Sequence, residues 1–114
     1  MVNDKDARIE AEKQKLNQIY AGIEVKRLKI VQRLIDNAAF MAVTLEDLQD
    51  EINTNGVTSE YQNGENQWGT KKSPEVEIYN TMIKNYTAIT RQLTDLLPEE
   101  VVEDDGFESF LASR

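Results

Sequence analysis

The sequence predicts an all-α fold: a long N-terminal helix, a short second helix and a long C-terminal helix, packed as an antiparallel helical core and followed by a flexible acidic tail. Two observations predict it. Apolar residues recur at steps of three and four through most of residues 9–97, which is the period of a helix with one buried face. Helix start and stop signals then divide this pattern into separate elements.

The first predicted helix covers about residues 5–42. Its apolar residues step by three and four from Ile9 to Met41. Gly22 interrupts this pattern, and a glycine inside a helix costs about 1 kcal/mol relative to alanine. A helix that continues through Gly22 and one that kinks or breaks there both fit the sequence.

A short second helix is predicted at residues 45–54. Thr44 can cap its first turn, with Asp47 at the reciprocal capping position. Asn55 and Gly56 supply a left-handed stop after its last turn. This element would therefore be separate from the first helix.

Residues 56–72 are predicted to form a loop. They hold three glycines and show neither a helical nor a strand period. A loop of this length is uncommon in a compact domain unless its side chains hold it in place. Val57, Tyr61 and Trp68 are expected to pin it to the helical body.

The third predicted helix, residues 74–97, has the clearest boundaries. Ser73 is the expected N-cap, and Pro74 occupies the first helical position, where its missing N–H costs nothing. Pro98 stops the helix. Its apolar stripe is predicted to form the core and the interface between subunits: Val76, Tyr79, Ile83, Tyr86, Ile89 and Leu93.

The predicted helices are long for one compact monomer. A straight helix of about 38 residues spans roughly 57 Å, whereas a compact domain of this length has a radius of gyration near 13 Å. Either the first helix folds back at Gly22, or neighbouring copies cover its apolar stripe. Paired apolar positions such as Ile30 with Val31 and Leu34 with Ile35 widen that stripe. We therefore expect a helical core that assembles with copies of itself.

The residue types available exclude several chemistries. The chain holds no cysteine and no histidine, which removes disulfides, thiolate nucleophiles, imidazole bases and the usual zinc ligands. Paired acids at residues 46–47, 50–51 and 103–105 could act in acid–base chemistry or hold a divalent ion, but such sites need a concave setting, and charge runs are more often solvated surface. We expect no catalytic activity, no metal and no cofactor.

Charge is distributed unevenly along the chain. The net charge is -8 at pH 7, yet residues 1–35 carry eight basic and five acidic residues, and residues 36–70 carry seven acids and no base. Such asymmetry suggests separate surfaces for separate partners. No apolar run reaches the roughly 18 residues of a membrane span, so no membrane partner and a cytoplasmic setting are expected.

The most basic stretch is "KRLKIVQR", and its four cations, which we call the basic group, are Lys26, Arg27, Lys29 and Arg33. Three of them share one helical face, with Arg27 to the side. Such a face can neutralise DNA phosphates without reading bases; the alternative is a solvated face that aids solubility. Further possible DNA contacts, as second choices, are Lys13, Lys15, Lys71 and Lys72.

The tail, residues 98–114, combines acids with apolar residues that we call the tail anchors: Phe107, Phe110 and Leu111. Their spacing of three and one fits a single helical turn, which is not stable in isolation. Two interpretations remain open. The tail anchors dock back on the chain's own body, or they bind a groove on another protein, toward which the acids would steer them.

The passages "YQNGENQWGTKKSPEVEIYN" and "MIKNYTAITRQLTDLLP", with the acidic tail ending in "DGFESFL", resemble the small terminase subunits of tailed bacteriophages and prophages, in particular the short Gram-positive type. The similarity covers about residues 30–112 and lies in passage and layout rather than in a catalytic motif.

The resemblance implies a non-catalytic component of viral genome packaging in the cytoplasm of the bacterial host. Such proteins bind double-stranded viral DNA and deliver it to a large subunit that holds the ATPase and the nuclease. They form rings of many subunits through helical cores, and their C-terminal segments commonly engage the motor. On this reading the basic group contacts DNA phosphates and the tail anchors bind the large subunit.

Two departures from that family pattern stand beside it. Residues 1–56 carry no clear helix-turn-helix, which many small terminases use, so the resemblance does not fix how DNA is bound. The net acidity also disfavours tight DNA binding by an isolated monomer. The alternative function is a structural helical adaptor that binds only other proteins. The acid-free run from Lys26 to Arg33 argues mildly against it, and a small transcriptional regulator would need a recognition helix that is not evident.

Overall fold

The computed structural model describes residues 4–62, 64–65 and 67–98, and these residues are mostly helical. In chain order the elements are α1 (Asp4–Ile19), α2 (Val25–Asn55), β1 (Thr58–Gln62), β2 (Trp68–Lys72) and α3 (Pro74–Asp95). The expectation of a purely all-α fold is therefore wrong in one respect, because β1 and β2 form a small antiparallel hairpin. The expected tail beyond Pro98 lies outside the described residues.

The first predicted helix is divided into two. α1 ends at Ile19, and α2 begins at Val25. Between them Gly22 has φ 90, a backbone conformation that glycine adopts without the steric penalty of a Cβ atom. The chain reverses here, which is one of the two forms that the sequence left open.

The short second helix is not a separate element, because α2 runs without interruption from Val25 to Asn55. Thr44 lies inside it rather than capping a new start. The reason is that apolar stepping continues across this position, and Val43, Leu45 and Leu48 are all buried in the same helix. The stop at its end was predicted correctly: Gly56 has φ 86, and its N–H donates to the Ile52 carbonyl oxygen at 2.8 Å.

The segment predicted as a loop, residues 56–72, contains the hairpin. Its register pairs Thr58 with Lys72 and Tyr61 with Gly69. Both strands are almost wholly exposed, so neither carries the alternation of apolar and polar residues from which a half-buried strand is recognised. The expected pinning residues do not hold it to the body, since Trp68 remains 66% exposed.

α3 begins where the sequence predicted, with Pro74 in its first turn and Ser73 as the N-cap residue. The Ser73 side chain does not cap the helix. It is buried, and its hydroxyl donates to the Gly56 carbonyl oxygen at 3.4 Å, while its N–H donates to the Val57 carbonyl oxygen at 3.0 Å. Ser73 therefore closes the base of the hairpin onto the end of α2.

α2 packs against both of the other helices and runs antiparallel to each, so α1 and α3 run in the same direction. Arg8 of α1 pairs with Asp47 of α2, and Lys13 pairs with Asp36, so the two helices run in opposite directions. The hydrophobic core lies toward the reversal at Gly22 and contains Tyr20, Val31, Ile35, Ala38 and Leu93. We call this the turn end of the molecule; the opposite extremity, beside β1 and β2, is the hairpin end. The molecule is elongated, with principal extents of 66 × 38 × 24 Å.

Candidate nucleic-acid interface and docking surfaces

The basic group lies at the turn end, on the first three turns of α2, and all four of its side chains are exposed. At 100° per residue, Lys26, Lys29 and Arg33 fall on the face opposite the buried Val31 and Ile35. Burial of that opposite stripe fixes the rotation of α2 and so directs these three cations outward. Within the described part of the chain, no carboxylate forms an ion pair with any of the four cations.

Arg27 lies on a different side of α2 from the other three. It borders a cavity of about 180 Å³, whose lining residues come from the chain reversal and from the end of α3: Gly22, Ile23, Glu24, Arg27, Leu96, Leu97 and Pro98. The last described residue, Pro98, is itself buried. The chain therefore leaves the described structure beside the basic group.

The second-choice cations are either paired with acids or lie at the hairpin end. Lys13 pairs with Glu10 and Asp36, at 3.4 and 3.7 Å, and Lys15 pairs with Glu12 at 3.5 Å. Lys71 and Lys72 are exposed on β2, at the hairpin end. A helix of the length of α2, 31 residues, is about 46 Å long, and this length separates them from Lys26.

Apolar side chains accompany the basic group at the turn end. Val25 is 82% exposed and Ile30 is 59% exposed, and Ile19 and Leu28 are also exposed. The sequence pattern predicted both Ile30 and Val31 for the apolar stripe that faces away from the cations; this is wrong for Ile30, because only Val31 is buried. An exposed Ile30 between Lys29 and Arg33 makes this surface both cationic and apolar, a combination that the charge pattern alone did not predict.

A second surface lies between α2 and α3. It is an open, largely apolar groove of about 400 Å³, which we call the α2–α3 groove, lined by Met41, Glu77, Ile78, Thr81, Met82 and Asn85. Half of the Ile78 side chain is exposed. Phe40, the residue before Met41, is also exposed, with the Lys5 ammonium 5.0 Å from its ring centroid.

The predicted core and interface residues of α3 face inward. Leu93 is buried, and Tyr86 and Ile89 pack against the core cluster. Val76, Tyr79 and Ile83 are half-buried. The exposure of Ile78, at the margin of this stripe, was not predicted. Ile78 directly precedes Tyr79, and the sequence does not indicate which of these two side chains is exposed.

The paired acids of α2 are placed differently from one another. Arg8 donates hydrogen bonds to Asp47 at 2.7 Å and to Glu46 at 3.5 Å, and the Asp47 bond raises the pKa of Arg8. Asp50 and Glu51 are exposed. Among the described residues, no three acidic side chains gather into a group that could hold a metal ion. Asp104, Asp105 and the tail anchors lie outside the described residues.

Burial raises the pKa of Tyr86, and the negative charges of Glu12 and Glu46 raise it further. The Tyr86 hydroxyl therefore lies in a partly desolvated region that α1, α2 and α3 share. Burial likewise raises the pKa of Tyr20. Both phenols therefore favour their neutral form, and the Tyr20 hydroxyl donates a hydrogen bond to the Leu93 carbonyl oxygen.

In the described part of the chain, no helix has both the length and the apolar character needed to cross a bilayer. No protein-family model, no curated protein and no solved structure matches this chain.

Proposed function

We propose that this chain is the small terminase subunit of a tailed phage or prophage: a non-catalytic protein that binds viral DNA and delivers it to a large subunit holding the ATPase and the nuclease. The observation that carries the proposal is the exposed basic group on α2, whose cations have no ion-pair partner among the described residues. The resemblance of about residues 30–112 to small terminases supplies the biological setting.

The proposed contact is with phosphates rather than with bases. Lys26, Lys29 and Arg33 stand at helical spacings of three and four, so their charges lie along one face. Each phosphate that a cation neutralises releases counterions, which makes binding depend steeply on salt. Four cations on one subunit give weak binding, and copies arranged in a ring would multiply the field.

Self-assembly is the second part of the proposal, and the α2–α3 groove is the surface offered for it. Met41, Ile78 and Met82 present apolar area that the described part of the chain leaves open. Light scattering at moderate salt should give a mass several times the 13.1 kDa of one chain. A monomer at all concentrations would remove the ring from the proposal.

The decisive test of DNA binding is charge reversal with a matched control. The variant Lys26→Glu/Arg33→Glu should bind a duplex more weakly, and the slope of log affinity against log salt should fall by about two, because each phosphate contact contributes about 0.9. The control Lys84→Glu/Arg91→Glu makes the same charge change on exposed positions of α3. Equal losses in the two variants would show a general charge effect and remove the phosphate assignment.

A structural adaptor that binds only proteins is the alternative, and the α2–α3 groove favours it. An open apolar groove between helices is the kind of surface that receives a partner helix. The adaptor would bind no duplex at any salt concentration.

In the packaging proposal the tail anchors engage the large subunit, so deleting residues 104–114 should leave assembly intact and abolish stimulation of packaging.

A further inference from the structure

The fold brings Pro98, the last described residue before the acidic tail, close to the basic group, although more than sixty residues separate them in sequence. Pro98 is buried, and it lines the same cavity as Ile23 and Arg27. The tail therefore starts at the turn end, beside the basic group. Had α3 ended at the hairpin end, the length of α2 would have separated the two.

Charge on the two segments is complementary. Residues 99–108 contain six acids and no basic residue: Glu99, Glu100, Glu103, Asp104, Asp105 and Glu108. The basic group supplies four exposed cations with no ion-pair partner among the described residues. At close range and low ionic strength, such segments attract one another strongly, and the tether keeps them close.

The tail is long enough to reach along the basic group, and both segments carry apolar side chains. Ten residues in extended form span up to about 33 Å, whereas Lys26 and Arg33 are only about 10 Å apart along α2. The first five acids are followed by the tail anchors Phe107, Phe110 and Leu111, and the basic group is bordered by the exposed Val25, Leu28 and Ile30. Each segment thus combines charge with apolar side chains, and those beside the basic group are exposed.

We propose that residues 99–111 dock on the basic group of the same chain, with the acids on the cations and the tail anchors against Val25, Leu28 and Ile30. The tail and a polyanion then compete for one surface. A duplex must displace the tail, and displacement frees the tail anchors for a protein partner. The competition with DNA rests on the proposed function, whereas the contact within the chain does not.

The contact is tested by attaching a nitroxide spin label to the tail of the full chain. The variant Ser109→Cys gives a single attachment site, because the chain has no cysteine of its own. Backbone amide signals of residues 25–33 should be broadened and those of residues 58–72 should not. Dilution should leave the pattern unchanged. Absence of broadening at α2, broadening at the hairpin, or its loss on dilution would each overturn the proposal.

Two sets of substitutions make that test specific. Added to the labelled chain, Lys29→Glu/Arg33→Glu should remove the broadening, and Lys84→Glu/Arg91→Glu on the outer face of α3 should preserve it. If both pairs preserve it, charge does not hold the tail and the proposal is wrong. If both pairs remove it equally, a general effect of net charge explains the contact, and the proposal is equally wrong.

Competition is then measured by duplex affinity at low salt. Neutralising the tail with Glu103→Gln/Asp104→Asn/Asp105→Asn should strengthen binding about tenfold, since the fraction of open basic groups rises. The control Asp50→Asn/Glu51→Gln/Glu60→Gln makes the same charge change near the hairpin end and should strengthen duplex binding much less. Equal gains would overturn the competition. If no variant binds duplex while the broadening persists, the proposed function fails and the tail contact stands.

Discussion

The hydroxyl of Tyr20 donates a hydrogen bond to the backbone carbonyl oxygen of Leu93, which joins the end of α1 to the last turn of α3. Both residues are buried, at 6% and 4% exposure. The carbonyl of Leu93 belongs to the final turn of its helix, where carbonyl groups have lost their partners in the next turn. The Leu96 N–H also donates to it, at 3.1 Å. Tyr20 thus closes the turn end of the core and helps to satisfy a helix terminus.

Removal of this hydroxyl should destabilise the protein modestly. In Tyr20→Phe the aromatic ring stays in the core, while the Leu93 carbonyl keeps only the Leu96 donor, so the free energy of unfolding should fall by about 1 kcal/mol. Urea unfolding followed by circular dichroism measures this. Tyr61→Phe removes a hydroxyl from an exposed residue and should have no comparable effect. A Tyr20→Phe protein as stable as the parent would mean that the bond contributes nothing net.

At Thr44, by contrast, we expect a substitution to stabilise the protein. Its hydroxyl oxygen is buried and has no hydrogen-bond partner in the described structure. Burying an unpaired hydroxyl costs about 1–3 kcal/mol in proteins, so Thr44→Val, which keeps the shape, should raise the free energy of unfolding by about 1 kcal/mol. Thr44→Ser is the matched control: it keeps the hydroxyl, loses a methyl group and should not stabilise. If Thr44→Val is instead destabilising, the hydroxyl has a partner in solution.

Thr44 also shows why the helical layout could be predicted only in part from the sequence. Local capping rules favoured a helix start at Thr44, but burial of Val43, Leu45 and Leu48 in one stripe keeps α2 continuous. Tertiary packing overrides a local preference of this size. At Gly56 the local signal and the packing agree, and α2 ends at the predicted place. At Gly22 the sequence allowed either a continuous or a broken helix, and the chain reversal there lets α1 pack against α2.

The position of the basic group was also predictable only in part. Exposure of the basic group follows from the apolar stripe on the other side of α2, so sequence periodicity could place it. The proximity of Pro98 to Arg27 could not be predicted, because it depends on the chain reversal at Gly22 and on the direction of α3.

The hairpin was not predicted from the sequence, because backbone pairing and not a buried face holds Thr58–Gln62 to Trp68–Lys72.

Within the hairpin, Tyr61 lies opposite Gly69 and covers it. A Cβ atom built at Gly69 would lie 2.9 Å from both the Cζ and the Oη atoms of Tyr61, so the ring occupies the space that a side chain would need. Aromatic residues commonly cover a glycine across a strand pair in this way. Gly69→Ala should therefore displace the ring into solvent.

The expected cost of that displacement is below about 1 kcal/mol, the scale of one cross-strand pair, because Tyr61 is already 43% exposed. The sensitive measurement is nuclear magnetic resonance. The Gly69 Hα signals of the parent should be shifted upfield by the ring, and Tyr61→Ala should abolish that shift. Gly69→Ala should move the Tyr61 ring signals, whereas Thr70→Ala, at an exposed neighbour in β2, should not. Unmoved ring signals in Gly69→Ala would contradict the packing.

The free energy of unfolding should fall at alkaline pH, because the Tyr86 hydroxyl titrates at a higher pH in the folded than in the unfolded protein. Burial and the charges of Glu12 and Glu46 raise its pKa in the folded protein, whereas an unfolded tyrosine titrates near pH 10. Below about pH 10 both states keep the proton, and the stabilisation is fully present. As pH rises further the unfolded state loses its proton first, so the free energy of unfolding falls. Tyr20, whose pKa burial also raises, adds to the same trend.

The variant Tyr86→Phe removes the Tyr86 part of this dependence. Urea unfolding at about pH 9 and about pH 11 should show a smaller loss of stability in Tyr86→Phe than in the parent, whatever the stability of each at pH 9. Lysine titration in the same range is common to both proteins and cancels in the comparison. Tyr61→Phe, which changes a phenol on the exposed hairpin, should lose as much stability as the parent. If Tyr86→Phe loses as much as well, the Tyr86 phenol is not desolvated against the two carboxylates, and α1 does not pack over it as described.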